Sequence, residues 1–387
     1  MRNDPLRVIV AGPYRATDGY PNVKWFLHHI ALDERFRIAY ARSRGAQDGS
    51  FARSGLTGLG ILRTGLRMFF DSLWSVGAAI RLWRNDKFDA VYLPYPALIP
   101  LLLFSLFPGR RPLIVADTFI SLYDTVVCDR KLLRGNGVLG RMLYFLERRA
   151  LSTADIVLTD TECNKHYLEK LFGLPVVKVK VLPLATDEVS YQPRPVSSKS
   201  GVCRILFVGT FVPLHGAETV ARAALKLVGH GEIEFRIFGD GQTADLVEGI
   251  LGQNPPNVFW HRGWSSPSDL AKEIENADIC LGIFGATEKA SRVWPLKNYA
   301  AMRVGRAVVT QETQCWPGAS EHGLPAPFLM VPANDSDALA ECLLSLVGDS
   351  KRREYFAGKA SSYYEHYLSN RVVINQFYDQ VCQALIR

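Results

Sequence analysis

Short apolar runs alternate along this chain with longer stretches in which apolar side chains recur every three or four positions. The runs predict strands and the periodic stretches predict helices. In the first half, strands are expected at Arg7–Ala11, Phe36–Tyr40, Asp89–Leu93, Leu113–Ala116 and Ile156–Thr159. Helices are expected at Trp25–Ala31, over roughly 57–84, and over 138–152, where Met142, Leu143, Leu146 and Ala150 share a face. The second half repeats the alternation, with strands at Arg204–Val208, Phe235–Phe238, Val258–Trp260, Ile279–Ile283, Ala307–Val309 and Phe328–Val331 and a helix at Gly216–Val228. Strands separated by helices predict a doubly wound parallel sheet, here twice over, and hence an α/β chain of two Rossmann-like domains.

The length of 387 residues suits that reading. The stretch 190–201 (SYQPRPVSSKSG) has little to bury and reads as a linker. It divides an N-terminal domain, 1–189, from a C-terminal one, 202–365, with a helix at 366–387 expected to pack back on the first domain. Two such domains facing each other leave a cleft, the usual place for a ligand. The apolar run Val91–Phe107 is too short for a membrane span and holds Pro94, Pro96 and Pro100, so a strand, a loop and a buried helix describe it better. The first residues suit a strand better than an export signal.

Charge changes the picture. Up to residue 190 there are 26 Lys and Arg against 18 Asp and Glu, and beyond it 19 against 20. The excess gathers between Arg35 and Lys87, where arginines alternate with Leu, Phe and Trp (ILRTGLRMFFDSLWSVGAAIRLWR). A basic, aromatic-rich helix points to an anionic membrane surface or an anionic partner, or to a core-facing helix with arginines on its wet side. No nucleic-acid-binding motif accompanies it. Seven scattered cysteines without a CxxC pair argue for a reducing compartment and against a disulfide framework or structural zinc.

Candidate chemistry concentrates at 281–310 (LGIFGATEKASRVWPLKNYAAMRVGRAVVT), a strand–loop–helix–strand unit in which Trp294-Pro295 opens a helix and Gly305 closes it. Parallel sheets bind ligands at the carboxyl ends of their strands. Lys289, Arg292 and Lys297 therefore stand where a diphosphate is neutralised, unless they are only surface cations of a solvated helix. Gly12, Gly209, Gly239 and Gly241 each end an expected strand, where a backbone N–H can approach phosphate closely. His215 and Gly216 open a helix whose dipole favours an anion. Asp117 ends a strand and can orient an acceptor or take its proton, or merely cap a turn. Gly135, Gly137 and Gly140 match G-x-G-x-x-G but follow a charged loop, which is the wrong context for a dinucleotide. Asp335 and Asp337 resemble a metal-binding DxD but precede a helix, which makes capping the better account.

Taken together, VGTFVPLHGAETVARAALKL, ERRALSTADIVLTDTECNKHYLEKLFG, VLPLATDEVSYQP, FRIFGDG, NVFWHRG, ADICLGIF and PLKNYAAMRVGRAVVT resemble, in order and spacing, the retaining glycosyltransferases of family four, which have the GT-B fold. The likeness runs from about residue 140 to the C-terminus. It implies a donor site mostly on the C-terminal domain, an acceptor site mostly on the N-terminal one, and metal-independent transfer from UDP- or GDP-sugar with retention. By the same comparison Thr210 and His215 stand where the family has its phosphate-binding Arg and Lys, and Asp117 near its acceptor-site His. Arg292 and Ala300 replace the family's paired glutamates, Pro295 and Lys297 supply a P-x-K element, and Glu288 or Asn298 would then meet the ribose.

The expectation is a glycosyltransferase with no cofactor beyond its nucleotide-sugar co-substrate. It would act on a lipid-linked or polysaccharide acceptor at the cytoplasmic face of a membrane that it touches peripherally. Its proposed groups are Asp117 and Lys297 for catalysis, with Gly12, Gly209, Thr210, His215, Gly216, Gly239, Glu288, Lys289, Arg292, Lys297 and Asn298 for the donor. A catalytically silent sugar-nucleotide-binding protein and a nucleotide-sugar epimerase are the alternatives.

Overall fold

The computed structural model describes residues 4–18, 20–41, 58–107, 110–195, 201–252, 255–313, 315–318 and 325–386. They form two compact units: the chain up to Ala185 joined by the stretch from Asn370 onward, and Thr186–Ser369. Residues 196–200, most of the second half of the expected linker, lie outside the described residues.

The first unit is built on a parallel sheet of β1 (Leu6–Ala11), β2 (Phe36–Ala41), β3 (Ala90–Leu93), β4 (Leu113–Asp117), β5 (Ile156–Thr159) and β6 (Val179–Val181), in the order β2-β1-β3-β4-β5-β6. Every residue of β3 and β5 is buried, as central strands covered on both faces must be. One face packs against α2 (Gly58–Asp86), α3 (Leu98–Phe104), α4 (Val138–Thr153) and α5 (Glu162–Phe172), through Val76, Leu101, Phe104, Leu151 and Phe172. The other packs against α1 (Pro21–Leu32) and the C-terminal helix (Asn370–Ile386), through Phe26, Ile30, Ile374 and Phe377. Local chemistry sets the ends. Thr161 caps α5 by accepting from Asn164 N, and Gly173 closes it in the left-handed region (φ 64°). Asp155, paired with Arg111, accepts from Ile114 N at 2.8 Å and so fixes the start of β4.

The second unit repeats the plan with β7 (Cys203–Gly209), β8 (Ile233–Gly239), β9 (Val258–His261), β10 (Ile279–Leu281), β11 (Ala307–Gln311) and β12 (Leu329–Val331), in the order β12-β11-β10-β7-β8-β9. Helices α6 (Ala217–Lys226), α7 (Ala244–Leu251) and α10 (Ser336–Val347) share one core with it. α8 (Pro267–Asn276), α9 (Leu296–Val304) and α11 (Ser350–Tyr363) complete the unit, and the C-terminal helix named above is α12. Asp335 accepts from Asp337 N and Ala338 N at the start of α10, so the DxD-like sequence is a helix cap. Val91–Phe107 is β3, a turn and α3, and among the described residues no helix is long and apolar enough to cross a membrane.

Phe377 of α12 is fully buried, edge-on to Phe26 at 5.0 Å and Tyr92 at 5.4 Å and stacked on Phe36 at 6.0 Å. Phe377→Ala is expected to lower stability by about 3–5 kcal/mol in chemical denaturation, the range for deleting a fully packed ring. A loss under about 1 kcal/mol would mean that α12 contributes little to the first unit.

Candidate functional site

The carboxyl ends of β7, β8 and β10 converge on one set of turns in the second unit. β7 ends at Gly209, where a Cβ would lie 2.6 Å from His215 Nδ1, so the imidazole fills the space a side chain would take. Gly209 pairs with Gly239 across the sheet, and a Cβ at Gly239 (φ 142°) would lie 1.8 Å from the Gly209 carbonyl oxygen. A Cβ at Gly241 would meet the Thr210 carbonyl at 2.1 Å. These glycines thus let neighbouring strand ends touch. Phe211, buried and at φ 39°, stacks on Trp260 at 5.7 Å and turns the chain back toward the sheet.

A short 3₁₀ turn, Pro213–His215, leads to Gly216 (φ 61°), the residue before α6. The loop after β10 lies against this turn. Phe284 N donates to His215 O at 3.1 Å and Gly285 N donates to Leu214 O at 3.2 Å. Side chains on either glycine would separate them, since a Cβ would lie 2.4 Å from Phe284 C at Gly216 and 2.3 Å from Pro213 O at Gly285. Gly282 abuts Thr310 Oγ1 and Asn298 Oδ1 in the same way.

Lys297, in the first turn of α9, reaches under β7. Its stem keeps some exposure, but its Nζ is buried without a hydrogen-bond partner, 4.1 Å from the centre of the Phe207 ring. Burial holds this amine well below the ordinary lysine range. His215 Nδ1 is likewise buried and unpartnered, and burial, with the Lys297 charge nearby, holds the ring well below the ordinary histidine value. The imidazole is therefore neutral near pH 7. Two basic groups with unused hydrogen-bonding capacity, beside the N-terminus of a helix, suit an anion. Among the described residues no group of three or more His, Cys, Asp or Glu could hold a metal ion.

The structure thus brings together Gly209, His215, Gly216 and Lys297, with Gly239 and Thr210 packed beside them. Lys289 and Arg292 sit in the turn before α9 and are buried, which excludes the reading of a solvated helix with surface cations. Glu288 is exposed, whereas Asn298 is buried with an unpartnered Nδ2. Ala300 is buried in α9, so no polar group stands at that position. Sequence reasoning missed Gly282, Thr310 and the Phe207 ring beneath Lys297. The run ICLGIFG signals a close approach through its two glycines, but nothing local identifies Phe207. A surface groove lined by Arg236, Phe259, Trp260 and Glu273 lies along the β9 edge and holds none of these groups.

Gly12 and Asp117 belong to the first unit. Gly12 (φ 102°) closes β1 and donates its N–H to Ser75 Oγ at 2.6 Å, so that N–H is already engaged. Asp117, half-buried at the end of β4, accepts from Phe119 N at 3.2 Å and Tyr92 Oη at 3.3 Å. Burial dominates these bonds and, with Asp160 nearby, raises its pKa to about 7.

Residues 203–349, most of the second unit, match the model of the family described as Glycosyl transferases group 1. The chain is similar in structure to the sucrose-phosphate synthase of Thermosynechococcus elongatus, at 14% identity and a TM-score of 0.69, over 99% of this chain and 100% of that one. It is similar to Anabaena HepE in complex with UDP, at 12% identity and 0.66, over 97% and 99%. A glycosyltransferase from Rickettsia africae gives 11% and 0.62, over 99% of each chain. The fold is GT-B, two Rossmann-like units. No protein of curated function matches the chain by sequence.

Because Asp117 binds its proton more tightly folded than unfolded, ionising it costs stability. That cost grows from about pH 4, the ordinary carboxylate value, to about 7 and is complete above it. Asp117→Asn is therefore expected to gain stability over wild type across that window and to hold a lead of about 2–4 kcal/mol above it. Thermal unfolding of both proteins from pH 4 to 8 checks this, and a pH-independent difference would contradict the assignment.

Proposed function

We propose that this protein is a retaining, metal-independent glycosyltransferase that moves a sugar from a nucleoside-diphosphate sugar to a hydroxyl of a lipid-linked or polysaccharide acceptor. It works at the cytoplasmic face of a membrane. The observation that carries the reading is the buried amine of Lys297 beside the neutral imidazole of His215, at strand ends packed tightly by glycines. The match of residues 203–349 to glycosyl transferases group 1 supports it. UDP and UDP-glucose are bound in structures of HepE, which supports UDP over GDP as the donor's nucleotide.

In this mechanism the bond from the anomeric carbon to the β-phosphate breaks and one to the acceptor oxygen forms. Negative charge builds on the departing phosphate. Lys297, its charge favoured beside that anion, stabilises it, and the His215 ring and the amides opening α6 donate to it. Lys289 and Arg292 add positive charge from the adjoining turn. Asn298 takes the ribose contact that Ala300 lacks. The acceptor proton passes to the departing phosphate or to Asp117, whose pKa near 7 suits proton transfer at neutral pH.

A second reading rests on Thr210 and Ala300, which leave two donor contacts without a charged side chain. It is a sugar-nucleotide-binding protein without turnover, and it predicts UDP binding with no release of UDP from any UDP-sugar.

Folding holds the Lys297 proton less tightly than the unfolded chain does, so burial destabilises the free protein until pH rises toward the ordinary lysine range. Binding a diphosphate reverses this and takes up a proton. Lys297→Met is expected to raise the melting temperature of the free protein. It should also weaken UDP binding by about tenfold or more, the worth of one charged hydrogen bond, and abolish proton uptake. Calorimetry of UDP in two buffers of different ionisation enthalpy measures both. Equal affinity for the variant and wild type would remove Lys297 from the phosphate site.

A further inference from the structure

Helices α2 and α4 each carry two apolar faces, and the first sheet uses only one of each. On α2, Ser72, Ser75, Val76 and Ala79 are buried toward the sheet. A second row, Leu66, Phe69, Phe70, Leu73 and Trp74, follows at i, i+3, i+4, i+7 and i+8 and is 43–64% exposed. On α4, Gly140, Glu147, Ala150 and Leu151 are buried, whereas Val138, Leu139, Met142, Phe145 and Leu146 are 39–82% exposed. Scattered apolar residues on a surface need no explanation, but two ordered rows do. α3 packs against both helices and all three share one core, so the two rows lie on the same side of the sheet.

Charge says what covers them. Exposed Arg63 and Arg67 flank the row on α2, with Arg81 and Arg84 farther along the helix. Arg141, Arg148 and Arg149 do so on α4, with Arg130, Lys131 and Arg134 exposed in the loop before it. Acidic groups are few. Asp71 lies 3.9 Å from Arg67, Asp86 stands at the far end of α2, and Glu147 is buried, accepting from Leu122 N and Tyr123 N. Bulky apolar rows bordered by arginines fit the boundary between acyl chains and phosphate headgroups.

Position gives the surface its meaning. Helices between parallel strands run back against them, so the N-termini of α2 and α4 lie at the carboxyl edge of the sheet, where β4 ends in Asp117. The row on α4 lies mainly in the first half of its helix and that on α2 around the middle of its longer one, where Ser75 meets Gly12 N at the end of β1.

We propose that the outward apolar rows of α2 and α4 together form a footing on an anionic bilayer, which holds the Asp117 edge of the first unit at the membrane and presents it to a lipid-borne acceptor. Two rows, rather than the single basic helix, fix how the unit sits on the surface. This extends the membrane part of the function proposed above, and vesicle binding needs no donor, so it is tested apart from sugar transfer.

The test is co-sedimentation with vesicles of phosphatidylcholine alone and of phosphatidylcholine with phosphatidylglycerol. Binding is expected only to the anionic vesicles, and it should weaken with salt. Met142→Ser with Phe145→Ser on α4, and Phe70→Ser with Trp74→Ser on α2, should each weaken it by about tenfold or more. Brominated acyl chains should quench tryptophan fluorescence in wild type and much less in Trp74→Phe, a change that leaves the fold intact. Unchanged UDP affinity in every variant separates loss of the footing from loss of the donor site. No binding to anionic vesicles, or α4 variants that bind like wild type, would overturn the proposal. So would a dimer in sedimentation velocity that the same substitutions disperse, which would assign the rows to a second copy of the chain.

Discussion

An amine buried without a hydrogen-bond partner is the constraint around which the second unit is arranged. Lys297 Nζ lies over the Phe207 ring, in the core strand of its sheet, where desolvation works against its charge. A fold selected only for stability would place a methionine there. The cost is tolerable because the surrounding turns are tightly determined: strand β7 is paired on both sides, and α6 and α9 are buried along the faces that meet it. On the proposed donor-site role of Lys297, function and stability pull in opposite directions at this residue, as they do where a site is held ready for a charge it does not contain.

The glycines belong to the same constraint. Gly209 and Gly239 let two adjacent strand ends touch, and Gly216 and Gly285 let the β10 loop hydrogen-bond onto the Pro213–His215 turn. They bring His215 and Lys297 close enough that the Lys297 charge adds to burial in depressing the imidazole.

Much of this was legible in the sequence. The alternation of β-run and helical period follows from side-chain geometry, so the strands and the long helices fell within a few residues of their expected places, and the capping role of Asp335 was readable from the helical run ALAECLLSL after it. The helix expected from Pro295 begins at Leu296, with the proline as its cap. Shorter elements escaped. β6 has three residues, and the 3₁₀ turn at 213–215 is set by the β10 loop lying against it, a contact made far along the chain. Burial of Lys289 and Arg292 was equally hidden, because cations in a polar loop have the same local sequence whether solvated or enclosed. Phe207 read only as a strand residue, and its place under Lys297 depends on the packing of α9 on the sheet. Apolar period likewise shows that a helix has a face but not which partner covers it, and so the outward rows of α2 and α4 could be separated from the core only once their inward faces were seen to be filled.

Asp117 and Glu147 show how the first unit treats buried carboxylates in two ways. Both are raised by burial. Glu147 receives two backbone N–H groups, from Leu122 and Tyr123, at 2.8 and 2.6 Å, and so ties α4 to the turn after β4. Asp117 receives longer bonds, 3.2 and 3.3 Å, from one backbone N–H and one tyrosine, and has Asp160 nearby. Short, paired donors mark a structural carboxylate, and long ones leave capacity for a further partner. The tie made by Glu147 holds the middle of α4 to the turn that follows the strand carrying Asp117. The apolar row on that helix and the Asp117 carboxylate are thereby linked through one hydrogen-bonded turn, which is what the proposed membrane footing requires.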